Sequence, residues 1–195
     1  MSVVPRLLTI LVLATAAGGC DSTVQRRAFP EVTFSHLPTI SLDVASIEVV
    51  RLFEAPLKAP HVEHEMPVPP MKAVDRWIAD RLKAAGTGGH ARITIRDASV
   101  VEGKVKPLGG IRGAFTTEQS ERYDANVEIE IEAVDGRGLR AASAVANAKR
   151  SQTIAEDATL KQRETLWFEL TETLMRDFDR TFEAQIRKHL TAFLK

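Results

Sequence analysis

One segment in the second half of the chain alternates apolar and polar residues with a period of two. Between positions 123 and 133 every second residue is apolar, and each position in between is Asp, Asn or Glu. Successive side chains of a strand point to opposite faces of its sheet, so the pattern predicts a strand with one buried and one solvated face. The predicted inward residues are Tyr123, Ala125, Val127, Ile129 and Ile131.

A tight turn and a further strand are predicted directly after this segment. Asp135 and Gly136 form a pair typical of hairpin turns, and an alanine-rich stretch follows at 139–154. Small inward alanines would let a helix approach the sheet closely. Alanine is also the strongest helix former, so a helix over the same stretch is the alternative. With a two-residue loop at Gly136 and Arg137, the register would pair Ile131 with Ala142, Ile129 with Ala144, Val127 with Ala146 and Asp124 with Lys149.

Apolar residues recur at a spacing of three and four in two other segments, which predicts two amphipathic helices. The first begins at Pro70, whose missing N–H suits a first helical turn, and ends at Gly86. The second follows Thr159, which would form a capping box with Gln162, and continues to Leu194.

The second predicted helix is longer than a small sheet can cover. At about 1.5 Å per residue, residues 160–194 would extend for about 52 Å. Either the apolar stripe is core and the helix bends, or its last turns expose apolar residues to a partner or a membrane surface. On the second alternative, the candidate partner contacts are Leu190, Phe193 and Leu194.

The remaining segments are less regular. Residues 39–53 alternate with one change of phase, which predicts a bulged strand, and residues 93–101 predict another strand. Five prolines at 54–70 favour an extended run. Residues 102–120 hold four glycines without a clear period, which predicts a long loop, and Phe115 within it is a further candidate partner contact.

The predicted order of elements is β-α-β-β-β-α. This order indicates an α+β fold in which a mostly antiparallel four-stranded sheet carries two helices packed on one face. We expect three parts of the chain: a leader at 1–19, a polar tether at 20–38 and a single domain at 39–195.

The first nineteen residues have the pattern of a targeting segment. Arg6 precedes an apolar run at 7–17 that is too short to span a bilayer, and small residues follow it. Cys20 is the only cysteine of the chain. The sequence AGGC that ends at Cys20 resembles the lipobox of bacterial lipoprotein precursors. The A-x-A sequence at 14–16 offers an ordinary secretory cleavage site as the alternative.

The lipobox resemblance implies a lipid anchor. In that family the cysteine becomes the first residue of the mature chain and its thiol carries a diacylglyceryl group, so Cys20 is the expected attachment site. More than one acyl chain anchors a protein stably to a membrane. Asp21 resembles the signal that retains enterobacterial lipoproteins in the inner membrane. We therefore expect a periplasm-facing membrane lipoprotein of the cell envelope, with the inner membrane favoured over the outer.

The charge of the chain gives no reason to expect a nucleic-acid partner. The sequence contains 26 basic and 26 acidic residues, and Arg6 would leave with the leader. The mature chain would therefore carry a net charge of about −1, without the broad basic field that attracts nucleic acid.

Residues with candidate chemistry are few, and no cofactor is expected. His61 and His64 lie three apart in a proline-bracketed run, without an identifiable third ligand, so they are weak zinc candidates and a solvated loop is the favoured alternative. The sequence GRGLRA at 136–141 fits G-x-G-x-x-A, but the half-exposed strand before it favours a hairpin turn over a dinucleotide site. Glutamates at 128, 130 and 132 share the predicted solvated face, so a wet outer surface is favoured over a hydrolase site of paired carboxylates.

In its arrangement of elements the predicted domain resembles periplasmic lipoproteins that assist lipopolysaccharide assembly or serve as auxiliary subunits of ABC-type lipid transporters. The resemblance implies a non-catalytic accessory or scaffold subunit that docks on an envelope protein complex. Two alternatives remain. One is a carrier that holds a lipid between sheet and helix, and the other is a tethered metal-dependent hydrolase built around His61 and His64.

Overall fold

The computed structural model describes residues 28–105 and 119–195. The predicted leader, Cys20 and Phe115 lie outside the described residues. In chain order the elements are β1 (Ile40–Leu42), β2 (Ser46–Arg51), α1 (Pro70–Arg81), β3 (Leu82–Ala84), β4 (His90–Lys104), β5 (Gln119–Val134), β6 (Ala141–Ala155), α2 (Leu160–His189) and a single 3-10 turn (Thr191–Phe193). The predicted α+β class is confirmed.

The main sheet has four strands in the order β2-β4-β5-β6. β5 pairs antiparallel with both of its neighbours, and β2 pairs parallel with β4. The predicted alternation in β5 is confirmed, because every second residue from Tyr123 to Ala133 is at most 3% exposed. On this buried face α1 packs against β4, and α2 packs against β5 and β6. The opposite face is solvated, and there Arg96 of β4 forms an ion pair with Glu130 of β5.

The alanine-rich stretch forms strand β6, but the predicted hairpin register is wrong by two residues. Because the shift is even, no side chain changes face, and the inward alanines of β6 are buried under α2 as expected. The observed partners are Ala144 for Ile131, Ala146 for Ile129, Ala148 for Val127 and Ser151 for Asp124.

The carboxylate of Asp135 explains why the hairpin loop between β5 and β6 is longer than the two residues predicted. Asp135 accepts hydrogen bonds from the backbone N–H of Arg137 at 3.2 Å and of Leu139 at 2.8 Å. The Nε of Arg140 donates a third at 3.1 Å. Partial burial acts to raise the pKa of Asp135, but the Arg140 guanidinium and the backbone donors outweigh it and lower the pKa from 3.8 to about 2.

We expect the stability that Asp135 contributes to be lost in acid. Its pKa is lower in the folded state, so the contribution is complete above about pH 4 and disappears as the pH falls through about 2. Asp135→Asn should therefore flatten the pH dependence of the free energy of unfolding in this window, as measured by denaturant titration at each pH. Glu132→Gln, at an exposed position of β5, is the control and should leave that dependence unchanged. If the free energy of unfolding depends on pH equally in both variants, the assignment of this dependence to Asp135 is contradicted.

The bulged strand predicted over 39–53 is two strands in two different sheets. β1 pairs in parallel with β3, whereas β2 joins the main sheet. The predicted helix end is also wrong, because α1 ends at Arg81 and the next three residues form β3. Gly86 therefore does not end a helix. A Cβ at Gly86 would lie 2.6 Å from the backbone of Asp43 and Val44, so glycine is needed for this close approach of two chain segments.

The C-terminal residues turn back into the core. α2 begins with the predicted capping box and ends at His189. Leu194 then forms an antiparallel bridge with Leu42 of β1. Leu190 is 0% and Phe193 2% exposed, and Leu194 packs partly buried against the core. Of the two alternatives, the exposed partner surface at Leu190, Phe193 and Leu194 is therefore wrong and the core is right, because the edge of β1 offers these residues a place inside the fold.

The domain begins earlier in the chain than predicted. Phe34 is buried, and its backbone N–H donates a 2.8 Å hydrogen bond to the carboxylate of Asp80 in α1. The ring centroid of Phe29 lies 5.3 Å from that of Phe168 in α2. Residues 28–38 are thus packed on the two helices, so the part of the chain predicted as tether includes residues that pack on the domain.

Candidate functional site

A groove of about 1340 Å³ opens on the helical side of the domain. Its walls are residues 28–32, the loop 64–68, α1 and the first turn of α2. Small-molecule pockets typically enclose about 300–1,000 Å³, so this groove suits a larger or elongated ligand.

Local contacts hold the walls of this groove in place. The hydroxyl of Thr171 in α2 donates a 3.1 Å hydrogen bond to the carbonyl of Val68, which fixes the loop 64–68 against the helix. Met66 and Val68 are buried, as is Ala73 on the adjoining face of α1. The stacking of Phe29 on α2 positions the opposite wall. The floor of the groove is therefore apolar, and it is formed by the loop 64–68 and by α1.

The rim of the groove carries charges of both signs. Asp75 pairs with Arg51 at 2.7 Å, and Arg76 pairs with Asp80 at 3.2 Å. Glu65, which also lines the groove, lies 3.6 Å from the Nε2 of His64. Others form no ion pair with any part of the chain that the structure describes. These are Lys72, Lys161, Glu31 and Glu164.

The two histidines of the proline-bracketed loop face different carboxylates. The Nδ1 of His61 lies 3.2 Å from Glu63, and the Nε2 of His64 lies 3.6 Å from Glu65. Glu63 is buried and also accepts the backbone N–H of Val100 in β4. Within residues 28–105 and 119–195, no three His, Cys, Asp or Glu side chains are grouped so that they could hold a metal ion. The structure therefore does not bring His61 and His64 together with a third ligand.

This loop instead protects the edge of the main sheet. β2 covers β4 only up to Ile95. Beyond that point Val62 donates its N–H to the carbonyl of Val100, and Glu102 donates its N–H to the carbonyl of Pro60. A proline-rich segment thus replaces a strand at this edge, with Glu63 as an additional acceptor. The segment contains prolines and acids but has no regular period, so this role was not predicted.

A charged cluster lies between α1 and α2. Arg81 is 0% exposed, and its Nε donates a 2.9 Å hydrogen bond to Asp179. The indole N–H of Trp77 donates to the same oxygen at 2.7 Å, and Arg81 also contacts Glu183. Burial acts to raise the pKa of Glu183, but the neighbouring Arg187 and Arg81 outweigh it and lower that pKa. The cluster joins the two helices, and the sequence pattern did not predict it.

A second polar cluster lies near the start of β5. The hydroxyl of Tyr123 donates a 2.6 Å hydrogen bond to Glu121, and Arg163 of α2 contacts both groups. Burial and the adjacent Glu121 carboxylate raise the pKa of Tyr123, so its phenol keeps its proton and acts as a donor. The ring of Tyr123 packs edge-on against Trp167 at 5.6 Å. These contacts fix the start of α2 on the sheet.

The other sequence candidates carry no clustered chemistry. The GRGLRA segment lies in the β5–β6 hairpin, and the glutamate row of β5 lies on the solvated face beside Arg96. No helix in the described ranges is long and apolar enough to cross a membrane. Neither a known family model nor a curated protein matches this chain in sequence. The groove is therefore the candidate functional site.

Proposed function

We propose that this chain is a cell-envelope lipoprotein tethered to a membrane through Cys20. It acts as a non-catalytic accessory or scaffold subunit of an envelope complex engaged in lipid transport or lipopolysaccharide assembly. The lipobox-like sequence ending at Cys20 supports the tether. A structural observation carries the proposal further. The ring of Phe29, only nine residues after Cys20, packs against Phe168 in α2 of the domain.

The short tether limits how far the domain can move from the membrane. A fully extended chain spans about 3.3–3.6 Å per residue, so the eight steps from Cys20 to Ala28 span about 28 Å when fully extended. Ala28 itself lines the groove. A lipid anchor at Cys20 would therefore hold the groove close to the bilayer surface.

The buried polar groups support a binding role over a catalytic one. Arg81 is engaged with Asp179 and Glu183, and the buried carboxylate of Glu63 is engaged with the N–H of Val100. These groups hold elements together and do not open into the groove. The groove itself offers an apolar floor and a charged rim, which are features of a docking or ligand-binding surface.

The tether is tested by Cys20→Ser in the full-length chain. We expect complete loss of metabolic palmitate labelling and transfer of the protein from the membrane to the soluble periplasmic fraction, because the only thiol is removed. Ser22→Ala is the control and should keep both the label and the membrane location. A Cys20→Ser protein that stays with membranes at high salt would contradict the proposed anchor.

A further inference from the structure

We propose that the groove binds one zwitterionic glycerophospholipid taken from the membrane to which the chain is tethered. The inference deepens the proposed function and rests on it for the source of the lipid. Three observations carry it: the apolar floor, the charges on the rim and the position of the tether.

The floor of the groove is suited to acyl chains. Met66, Val68 and Ala73 form a buried apolar base. Leu160, the first residue of α2, lines the same groove and is 68% exposed. An acyl chain lying along this base would cover the exposed leucine and remove apolar surface from water, which is the main favourable contribution to lipid binding.

The rim is suited to a headgroup that carries both charges. Lys72 and Lys161 are unpaired ammonium groups, and Glu31 and Glu164 are unpaired carboxylates, within the part of the chain that the structure describes. A phosphate would be held by the lysines and a headgroup amine by the glutamates, each through charge-assisted hydrogen bonds. An anionic headgroup without an amine would leave the carboxylates unmatched. The charge pattern therefore favours a zwitterionic lipid such as phosphatidylethanolamine.

The position of the groove is suited to a membrane source. Its wall at residues 28–32 continues directly into the tether, whose fully extended length is about 28 Å. A volume of about 1340 Å³ exceeds that of ordinary small-molecule pockets and is open along the surface. A lipid could enter it with its headgroup at the rim.

The proposal is tested by measuring bound lipid in the full-length Cys20→Ser chain, purified without detergent from the soluble fraction. Native mass spectrometry should detect one phospholipid per chain, and extraction should identify it as phosphatidylethanolamine. Ala79→Trp fills the groove from α1 and should reduce the bound lipid at least tenfold. Ala184→Trp introduces the same side chain at an exposed position of α2 that does not line the groove, and should leave the bound lipid unchanged. Equal thermal melting temperatures of the two variants exclude misfolding.

The headgroup assignment has its own variants. Lys72→Glu combined with Lys161→Glu should reduce the bound lipid about tenfold, whereas Lys188→Glu, exposed near the end of α2, should not change it. Absence of lipid from the unmodified groove, or recovery of anionic lipid alone, would overturn the proposal.

The result also separates this proposal from the tether. A Cys20→Ser chain that is soluble but carries no lipid overturns the groove assignment and leaves the anchor intact. A Cys20→Ser chain that stays in the membrane overturns the anchor. In that case lipid binding in the groove is tested by placing a photoreactive amino acid at position 79 or at position 184 of the membrane-bound chain. A phosphatidylethanolamine adduct that forms at position 79 and not at position 184 supports the site. Equal adducts at both positions overturn it.

Discussion

Asp179→Ala is expected to lower the free energy of unfolding by about 2–4 kcal/mol, because two donors between the helices lose the oxygen they share and an unsatisfied buried donor costs about 1–3 kcal/mol. Arg81 is fully buried and would keep only its contact with Glu183, while the indole N–H of Trp77 would lose its acceptor. Trp77 is also central to the aromatic packing between the helices, since its ring lies 5.3 Å from Phe178. The loss should appear as a lower denaturant midpoint with an unchanged slope.

Two further variants show whether the buried charge is the cause. Asp177→Ala removes a carboxylate two residues away that pairs with the exposed side chains of Arg150 and Arg180, so its cost should be about 0–1 kcal/mol. Combining Asp179→Leu with Arg81→Met removes both buried charges and should recover most of the stability lost in Asp179→Ala. A double variant that is less stable than Asp179→Ala would show that the helices need the ion pair itself.

The elements predicted from sequence are those whose local pattern matches their burial. β5 is buried on one face from Tyr123 to Ala133, so its alternation shows directly in the sequence. The start of α2 was also predicted, because the capping box of Thr159 and Gln162 is a local interaction. The hairpin loop was not predicted correctly, since its length depends on the three donors that gather around Asp135.

The predicted mismatch in length between helix and sheet does not occur, because β4 and β5 are longer than their apolar patterns. β4 has 15 residues, where the sequence predicted a strand at 93–101, and it spans about 50 Å at about 3.4 Å per residue. α2 has 30 residues and is about 45 Å long. The strand ends are polar residues such as Arg122 and Lys104, which hide the extent of the sheet in the sequence. A sheet of this length covers the whole helix, so no overhanging tip is left for a partner.

The candidate groove could not be predicted, because its walls come from distant segments without a common pattern. Residues 28–32 show no sustained period, which predicts part of a tether. The stacking of Phe29 on Phe168 and the packing of Val32 against the core show that they belong to the domain. Arg81 likewise has the position of an ordinary basic residue at a helix C-terminus. Its burial follows from Asp179 and Glu183, about a hundred residues later in the chain.

The second large effect is expected at the C-terminal end of the chain. Phe193→Ala should lower the free energy of unfolding by about 3–5 kcal/mol, because the ring is almost fully buried and truncation leaves a cavity. Deletion of residues 190–195 should cost more and prevent stable folding. It also removes Leu190, the hydrogen bond from the N–H of Asp43 to the carbonyl of Phe193 at 2.7 Å, and the bridge of Leu194 to β1.

Thermal unfolding of the full-length chain tests this assignment. Thr191→Ala is the control within the same turn, since Thr191 is exposed and its hydroxyl bonds only to carbonyls of the preceding helical turn. It should change the melting temperature little, whereas Phe193→Ala should lower it by about 6–20 °C, at roughly 2–4 °C per kcal/mol for a domain of this size. A deletion that leaves the melting temperature unchanged would return these residues to the surface and restore the C-terminal end as a candidate contact for an envelope partner.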